Sequence, residues 1–371
     1  MQNNITVEIY NRNLSSPTLI EDITHKIQRL KFSTKLHGGF HICSFDLMAD
    51  LPEAWEWITK RLYYRLLIRD GVKTLWEGRL EDVYLTEGGA GATAYGYYVN
   101  LSDIPYATAY NANADVVIKA VLTANCSQIS SDQTHIDATG GPAITSAADA
   151  AYLDIYPKEI VEKLANFSDD TNSARWYFGI WEDRIAYFFA RSVSSLNWAV
   201  SINDFAKFRL KYRGAELWNS CYAVYDAAGL ARTATANDTD SQEKYGDGTN
   251  SLIRRYVIPQ LGTVVAGAAT SARDGWLEEH KEVYPKLTDM MLGDRVFDTN
   301  GRVYPSSWVR AGEVIRVEDL VPASVDATTV TRDRLRTYYI VQTEYNLDNQ
   351  TMRIVPDTES TNLNSLLSQL L

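Results

Sequence analysis

Two stretches far apart in the chain repeat one pattern of apolar and polar positions. The first, Leu66 to Val99, opens with a short apolar strand and an acidic turn, then alternates through Leu80, Val83 and Leu85 to a glycine-rich tip, "GGAGA", and returns through Tyr95, Tyr97 and Val99. The second, Gly312 to Asp357, opens the same way. It alternates through Tyr339, Val341 and Thr343 to "NLDNQ" and returns through Met352, Ile354 and Val355. A period of two with turn residues at the tips predicts strands and hairpins. One β module built twice, with different material between, gives a single chain internal pseudo-symmetry.

The remaining pattern sets these modules in context. Ahead of the first, "TVEIYN" alternates with Val7 and Ile9 on one face, Ile27, Leu30 and Phe32 alternate less regularly, and Phe40, Ile42 and Phe45 mark a strand with a bulge. "PEAWEWITKR" reads as a short helical or irregular bridge, with Pro52 suited to a first turn, and Asp70-Gly71 is a hairpin turn. Strands at this spacing predict a small barrel or sandwich. The middle then changes period. Asp115 to Asn125 predicts a helix capped by Asp115, with Val117, Val121 and Ala124 on one face, and "YPKEIVEKLANF" a second with Pro157 first and Ile160, Leu164 and Phe167 inward. "RWYFGIWEDRIAYFFAR" is an aromatic hairpin turning at Glu182-Asp183, with "NWAVSI" continuing its sheet.

From about Phe208 the strand pattern returns in "FRLKYRG" and "SCYAVYDAAG". The polar, Gly/Asp-rich "TATANDTDSQEKYGDG" reads as a loop or a crossing segment, and "TVVAGAATSARDGWLEEHKEVYPKLTDMM" is an Ala-rich helix shortened or bent by Gly275 and Pro285. At the end, Leu363, Leu366, Leu367, Leu370 and Leu371 fall on one face of a helix capped by Ser360 or Thr361. Such a face is buried on its own protein or on a partner, so these five leucines are the candidate partner interface.

Composition narrows the classes. A chain of 371 residues suggests two to four domains, and 45% apolar with 11% aromatic content is that of a folded protein. With 36 basic and 47 acidic residues the net charge is −11. That is a poor basis for tight nucleic-acid binding, which draws its affinity from neutralised phosphates. It suits a passage along which nucleic acid slides. Cys43, Cys126 and Cys221 are odd in number and without CxxC spacing, as expected of buried thiols in a reducing compartment. The N-terminal "MQNNITVEIYNRN" lacks the pattern of a signal peptide, and no apolar stretch approaches a membrane span. The expectation is a soluble protein made in a cytoplasm.

No constellation of catalytic residues stands out. His37 and His41 are four apart, but Gly38-Gly39 between them argues against a shared helical face, and a third ligand is lacking. Glu182 and Asp183 lie among Trp176, Tyr177, Trp181 and Tyr187, a composition found where sugars are cleaved between two carboxylates. Adjacent residues on a turn point apart, so they read as exposed turn acids. Glu278, Glu279 and His280 read as a solvated helix face. "NDTDSQEKYGDG" spaces its acids somewhat like a calcium loop, without the glycine and glutamate where an EF-hand needs them. GxxxxGK[ST], strand-linked GxGxxG and GxSxG are all absent. The reading is no enzyme, no catalytic or metal-ligating residue and no cofactor.

The order of the pieces resembles the baseplate or tail-tip hub proteins of tailed bacteriophages and related contractile injection systems. "LWEGRLEDVYL" is similar to the strand that closes the first barrel in that family. "ADVVIKAVLTANCSQIS" with "YPKEIVEKLANFSDDTNSARWYFGIWEDRIAYFF" is similar to its second domain. "YGDGTNSLIRRYVI", the Ala-rich helix and "RVYPSSWVRAGEVIRVEDLVP" are similar to its third, with Pro305, Arg310, Gly312, Asp319 and Pro322 at the most recognisable positions. Unlike the larger hub proteins, this chain is expected to carry no lysozyme, peptidase or needle domain, and so no cell-wall-degrading role.

The resemblance implies a β-rich α+β fold with two tube-like β-barrel domains in one chain, braced by α+β and helical insertions. The division expected is 1–104 for the first barrel and 105–205 for an α+β domain with two helices and the aromatic hairpin. The second barrel takes 206–360, with a helical insertion near 262–292, and 361–371 is an amphipathic tail. It implies a structural role in the virion: a homotrimer forming a pseudo-hexameric ring that joins the hexameric tail tube, or a distal tail protein, to the trimeric spike, fibre or tip. DNA would pass only through the lumen, no membrane would be entered by this chain, and assembly would occur in the host cytoplasm. Two other readings are weighed beneath it: a carbohydrate-binding tail-tip module using the rings of Trp176–Trp198, and a glycan hydrolase using acids near Glu182 or Glu279.

Overall fold

The structure, a computed structural model, describes residues 4–107, 112–136, 155–166, 176–190, 196–212, 214–226, 229–259, 266–283, 285–320 and 336–357. The chain divides into two compact units, one from Met1–Phe208 with Asp289–Pro356, the other built on Arg209–Thr288.

The first unit begins with seven strands. They are β1 (Ile5–Tyr10), β2 (Leu19–Asp22), β3 (Ile27–Lys35), β4 (Gly38–Met48), β5 (Arg65–Asp70), β6 (Lys73–Thr86) and β7 (Gly89–Tyr95), with α1 (Leu51–Lys60) after β4. They pair in the order β2-β1-β5-β6-β7-β4-β3, all antiparallel. Alternation works as expected in β1, where Ile5, Val7 and Ile9 are buried. Helix α1 starts where Asp50 Oδ1 accepts the Glu53 N–H, with Pro52 in the first turn, and it buries Trp57 edge-on to Phe45. The β6–β7 turn is Glu87-Gly88, so the glycine-rich run lies mostly inside β7 rather than at the tip. Its purpose there is clearance: a Cβ on Gly91 would sit 2.3 Å from the Tyr84 ring of the neighbouring strand.

The insertion carries α2 (Ala114–Asn125), α3 (Pro157–Asn166) and the hairpin β8 (Trp176–Ile180) and β9 (Ala186–Ala190). Asn113, not Asp115, occupies the N-cap position of helix α2, without a capping bond from its side chain, and Asp115 lies in the first turn and pairs with Lys119. Its buried face is Ala114, Val117, Ile118, Val121 and Leu122, while Ala124 is exposed. The stripe is wider than the three-residue reading and rotated from it. Ile160, Val161 and Leu164 of α3 face the same core, with Trp176, Phe178 and Phe188; Phe167 lies outside the described residues. The hairpin is not a separate sheet. β8 runs parallel to β4, with Gly38 opposite Gly179 and Gly39 opposite Ile180. Gly39 has φ +80°, and a Cβ there would meet the Ile180 carbonyl oxygen at 2.0 Å, so only glycine admits this approach.

The strand β10 (Trp198–Ser201) corrects an expectation: it leaves the aromatic sheet and joins the second module. After β11 (Phe205–Tyr212) comes the second unit: β12 (Ser220–Asp226), β13 (Leu230–Arg232), β14 (Ala236–Asn237), α4 (Thr239–Lys244), β15 (Arg255–Ile258) and α5 (Ala266–His280). Its core packs Cys221, Ala223 and Ile258 against Ala269, Trp276 and Leu277 of α5. The polar run expected as a loop or crossing segment contains α4, capped by Asp238 on the Ser241 N–H. The long Ala-rich helix is half its expected length, because Pro285 opens a strand instead of bending a helix.

The chain then forms β16 (Pro285–Leu292), β17 (Arg295–Phe297), β18 (Val303–Pro305), β19 (Val314–Glu318), β20 (Thr337–Asn346) and β21 (Thr351–Pro356) in the first unit. β19-β20-β21 is an antiparallel meander, as is β5-β6-β7. The fold is thus β-rich α+β, with the module repeated. Barrel closure is not among the pairings of the described residues. β3 has β4 on one edge and β20 on the other, so the ladder runs on into the second module where a barrel would turn back. The segment with Leu363, Leu366, Leu367, Leu370 and Leu371 lies outside the described residues.

Candidate functional site

The two modules meet along β3 and β20. Lys31–Lys35 pair with Gln342–Asn346, and one row of side chains crosses seven strands in register: Leu80, Ala94, Cys43, Phe32, Tyr345, Met352 and Leu292. All seven are buried, and the Phe32 and Tyr345 rings lie 5.2 Å apart across the seam. The next row, Thr93, Ser44, Lys31, Asn346 and Thr351, points the other way and keeps contact with solvent. Period-two alternation therefore persists through the seam, giving one sheet with one apolar and one polar face. On the polar face a cavity of about 260 Å³ opens over the seam, bounded by Lys31, Ser33, His41, Ser44, Gln342 and Glu344.

Behind the seam the hydroxyls of Thr34 and Thr343 meet at 2.6 Å, and Thr34 Oγ1 also accepts the Ala311 N–H at 2.9 Å. Gly312, with φ +91°, donates its N–H to the Ile340 carbonyl. Thr34→Val orphans a buried N–H and is expected to cost about 1–3 kcal/mol, against about 1 kcal/mol for Thr343→Val, measured by urea unfolding. Equal losses would mean that Thr34 is not the shared acceptor.

A second set of contacts ties the aromatic hairpin to both modules through charge. Glu77 of β6 is buried at 1% exposure. Its Oε1 lies 3.0 Å from Arg65 Nε without the alignment of a hydrogen bond, and its Oε2 accepts the Asp183 N–H at 2.8 Å. Burial pushes the Glu77 carboxyl up, with Arg65 and that N–H pulling it back. The Asp183 and Arg184 backbones both have positive φ, so the N–H donated to Glu77 secures a left-handed turn. Glu182 is held by Arg310 Nη1 at 2.6 Å, and the Arg310 guanidinium lies over the Trp181 ring at 5.4 Å. Glu313 accepts from Trp198 Nε1 and from the Arg310 N–H, and burial raises its pKa. Arg79 extends the tie to the insertion through Asp103 and Gln128.

These positions settle several expectations. Asp183 is an exposed turn acid at 81%, whereas Glu182 is the partner of Arg310 and not free. Trp176, Tyr177 and Trp181 are buried core rings. His37 lies against Tyr177 and His41 beside Ser33; burial lowers both pKa values to about 4. Glu278 pairs with Lys281, and His280 stacks on Trp276 at 4.1 Å. In the calcium-like loop, Asp238 serves α4 and Lys281, and Asp247 accepts from Thr249 and Asn250. The three cysteines are free and buried. Among the described residues no helix is long and apolar enough to cross a membrane. Arg310 and Gly312, singled out by resemblance, sit at the junction; Pro322 lies outside the described residues. Arg65, Thr34, Glu77 and Glu313 were not legible as junction residues. A glutamate in an alternating strand reads as outward, but β6 is buried on both faces from Leu75 to Leu80.

No protein-family model matches the chain, and no curated protein matches it in sequence. Solved structures do match its fold. The 43 kDa tail protein of prophage MuSo2 from Shewanella oneidensis superposes with a TM-score of 0.58 at 10% identity, over 97% of this chain and 98% of that one. Prophage tail protein gp18 from Listeria monocytogenes gives 0.57 at 9% identity, over 98% of each chain. A tail protein from Neisseria meningitidis gives 0.56 at 10% identity, over 96% and 97%. The chain has the fold of these phage tail proteins along almost its whole length.

Proposed function

We propose that the chain is a structural, non-enzymatic component of a phage tail, a hub whose copies assemble as a trimer with six similar β modules. The observation that carries this is the seam. One buried row crosses both modules without a break, so each chain supplies a pair of like elements already fixed in relative orientation. Three such pairs give a pseudo-sixfold ring, held by heterologous contacts that close by rotation. Full-length likeness to tail proteins supports the setting. In this reading the polar face of the sheet lines the DNA passage. Its mixed charges, with Lys31 and Glu344 on one cavity, let a polyanion slide without sticking.

One side of the ring meets the tail tube or a distal tail protein and the other the spike, fibre or tip. The leucine face of Leu363, Leu366, Leu367, Leu370 and Leu371 offers a further contact to such a partner. The chain would belong to the tail tip or baseplate of the virion, assembled in the host cytoplasm. Light scattering of the purified protein, alone and with its tail neighbours, tests this. The expected mass is three times the 41.8 kDa of one chain. Monomers alone, with and without those neighbours, would end the reading. The glycan-binding alternative gains nothing from the structure of the rings, which are packed against one another in the core.

A further inference from the structure

Among the described residues of the second unit, α5 covers one face of its sheet. Cys221, Ala223, Tyr256 and Ile258 face α5, with the Tyr256 ring stacked on Trp276 at 4.5 Å. The registers place Tyr222 and Val224 of β12, Leu230 and Arg232 of β13, and Arg255 and Val257 of β15 on the opposite face. Four of these six are exposed, Leu230 at 77% and Val257 at 42% among them. The face is apolar in its middle and basic at both flanks. Arg232 lies over the Tyr222 ring at 5.9 Å, and Arg255 Nε donates to Ser220 Oγ. Among the described residues neither guanidinium meets a carboxylate. Asp226, at the rim, accepts from the Gly229 N–H of its own turn.

Charge distribution indicates what fits there. Residues 209–288 hold ten lysines and arginines against ten acids, so the whole net charge of −11 lies in the rest of the chain. A surface pairing apolar area with two arginines that meet no carboxylate among the described residues complements an acidic surface, and this chain carries an excess of acids outside the segment. We propose that the open face of this sheet docks on an acidic patch of a second copy of the chain, with Arg232 and Arg255 as the charged contacts and Val257 at the apolar centre. The inference rests on the proposed self-assembly and assigns a surface to it.

The test uses the full chain in native mass spectrometry and sedimentation across a salt series. Arg232→Glu with Arg255→Glu is expected to weaken self-association by about tenfold or more, because like charges then face each other. Arg232→Lys with Arg255→Lys is expected to assemble nearly as the parent, and added salt to weaken the parent progressively. Far-UV circular dichroism confirms that the exposed substitutions leave the fold intact. A folded double-Glu chain that assembles like the parent overturns this inference and leaves the tail reading standing. If the double-Glu chain does not fold, salt-insensitive assembly of the parent overturns it instead. A parent that is monomeric throughout overturns both. Loss of binding to a DNA oligonucleotide in the double-Glu chain, with assembly intact, would assign the face to nucleic acid and also overturn it.

Discussion

Glu77→Ala is expected to destabilise the protein by about 3–5 kcal/mol, because it leaves Arg65 buried without its countercharge. Arg65 is only 8% exposed, and its other acidic neighbour, Asp183 Oδ1, is 3.7 Å away on a side chain open to solvent. The same change removes the acceptor of the Asp183 N–H, so the left-handed turn loses its anchor along with the ion pair. Guanidinium unfolding followed by circular dichroism measures the loss. Replacing both partners, Arg65→Met with Glu77→Leu, should return most of it, since no charge is then stranded. A Glu77→Ala chain as stable as the parent would show that the pair does not hold the hairpin to the first module.

Tyr345→Ala is expected to cost about 3–5 kcal/mol, the usual range for emptying a buried aromatic site. Its particular interest is where the loss falls. Tyr345 is fully buried in the second module, and its ring neighbour across the seam, Phe32, belongs to the first. In a double-mutant cycle, Phe32→Ala and Tyr345→Ala should couple by about 0.5–1.5 kcal/mol, as packed aromatic pairs do. Strict additivity would mean that the modules are not zipped through these rings.

The sequence made the module repeat legible because both meanders alternate for long enough to define a face, and their tips carry turn residues. Pro52 marks the place of helix α1 without deciding between a helix and an irregular bridge, and the helix α3 face was legible from Ile160 and Leu164. The seam was not. Nothing in "LKFSTKL" or "YIVQTEYN" says that the two strands pair, because register is a long-range property and either strand would alternate equally well at an edge. The charged ties were hidden for a related reason. Glu77 and Glu313 sit in strand and turn patterns where a carboxylate ordinarily faces water, and only the arrival of the hairpin and of Trp198 buries them. The Ala-rich periodicity runs up to Pro285 and so predicts a bent helix there, yet a proline suits the first residue of a strand as well. Strand spacing and the resemblance point to a barrel, but spacing does not say what a strand's second edge pairs with, and that of β3 pairs with β20 of the other module.

In the proposed assembly one chain fixes two like β modules side by side, and three chains make a six-module ring. Electron-microscope class averages of the purified protein test it most directly. Threefold rings with a sixfold-like outline are expected. Fields of single-chain particles at every concentration, or rings without threefold symmetry, would contradict it.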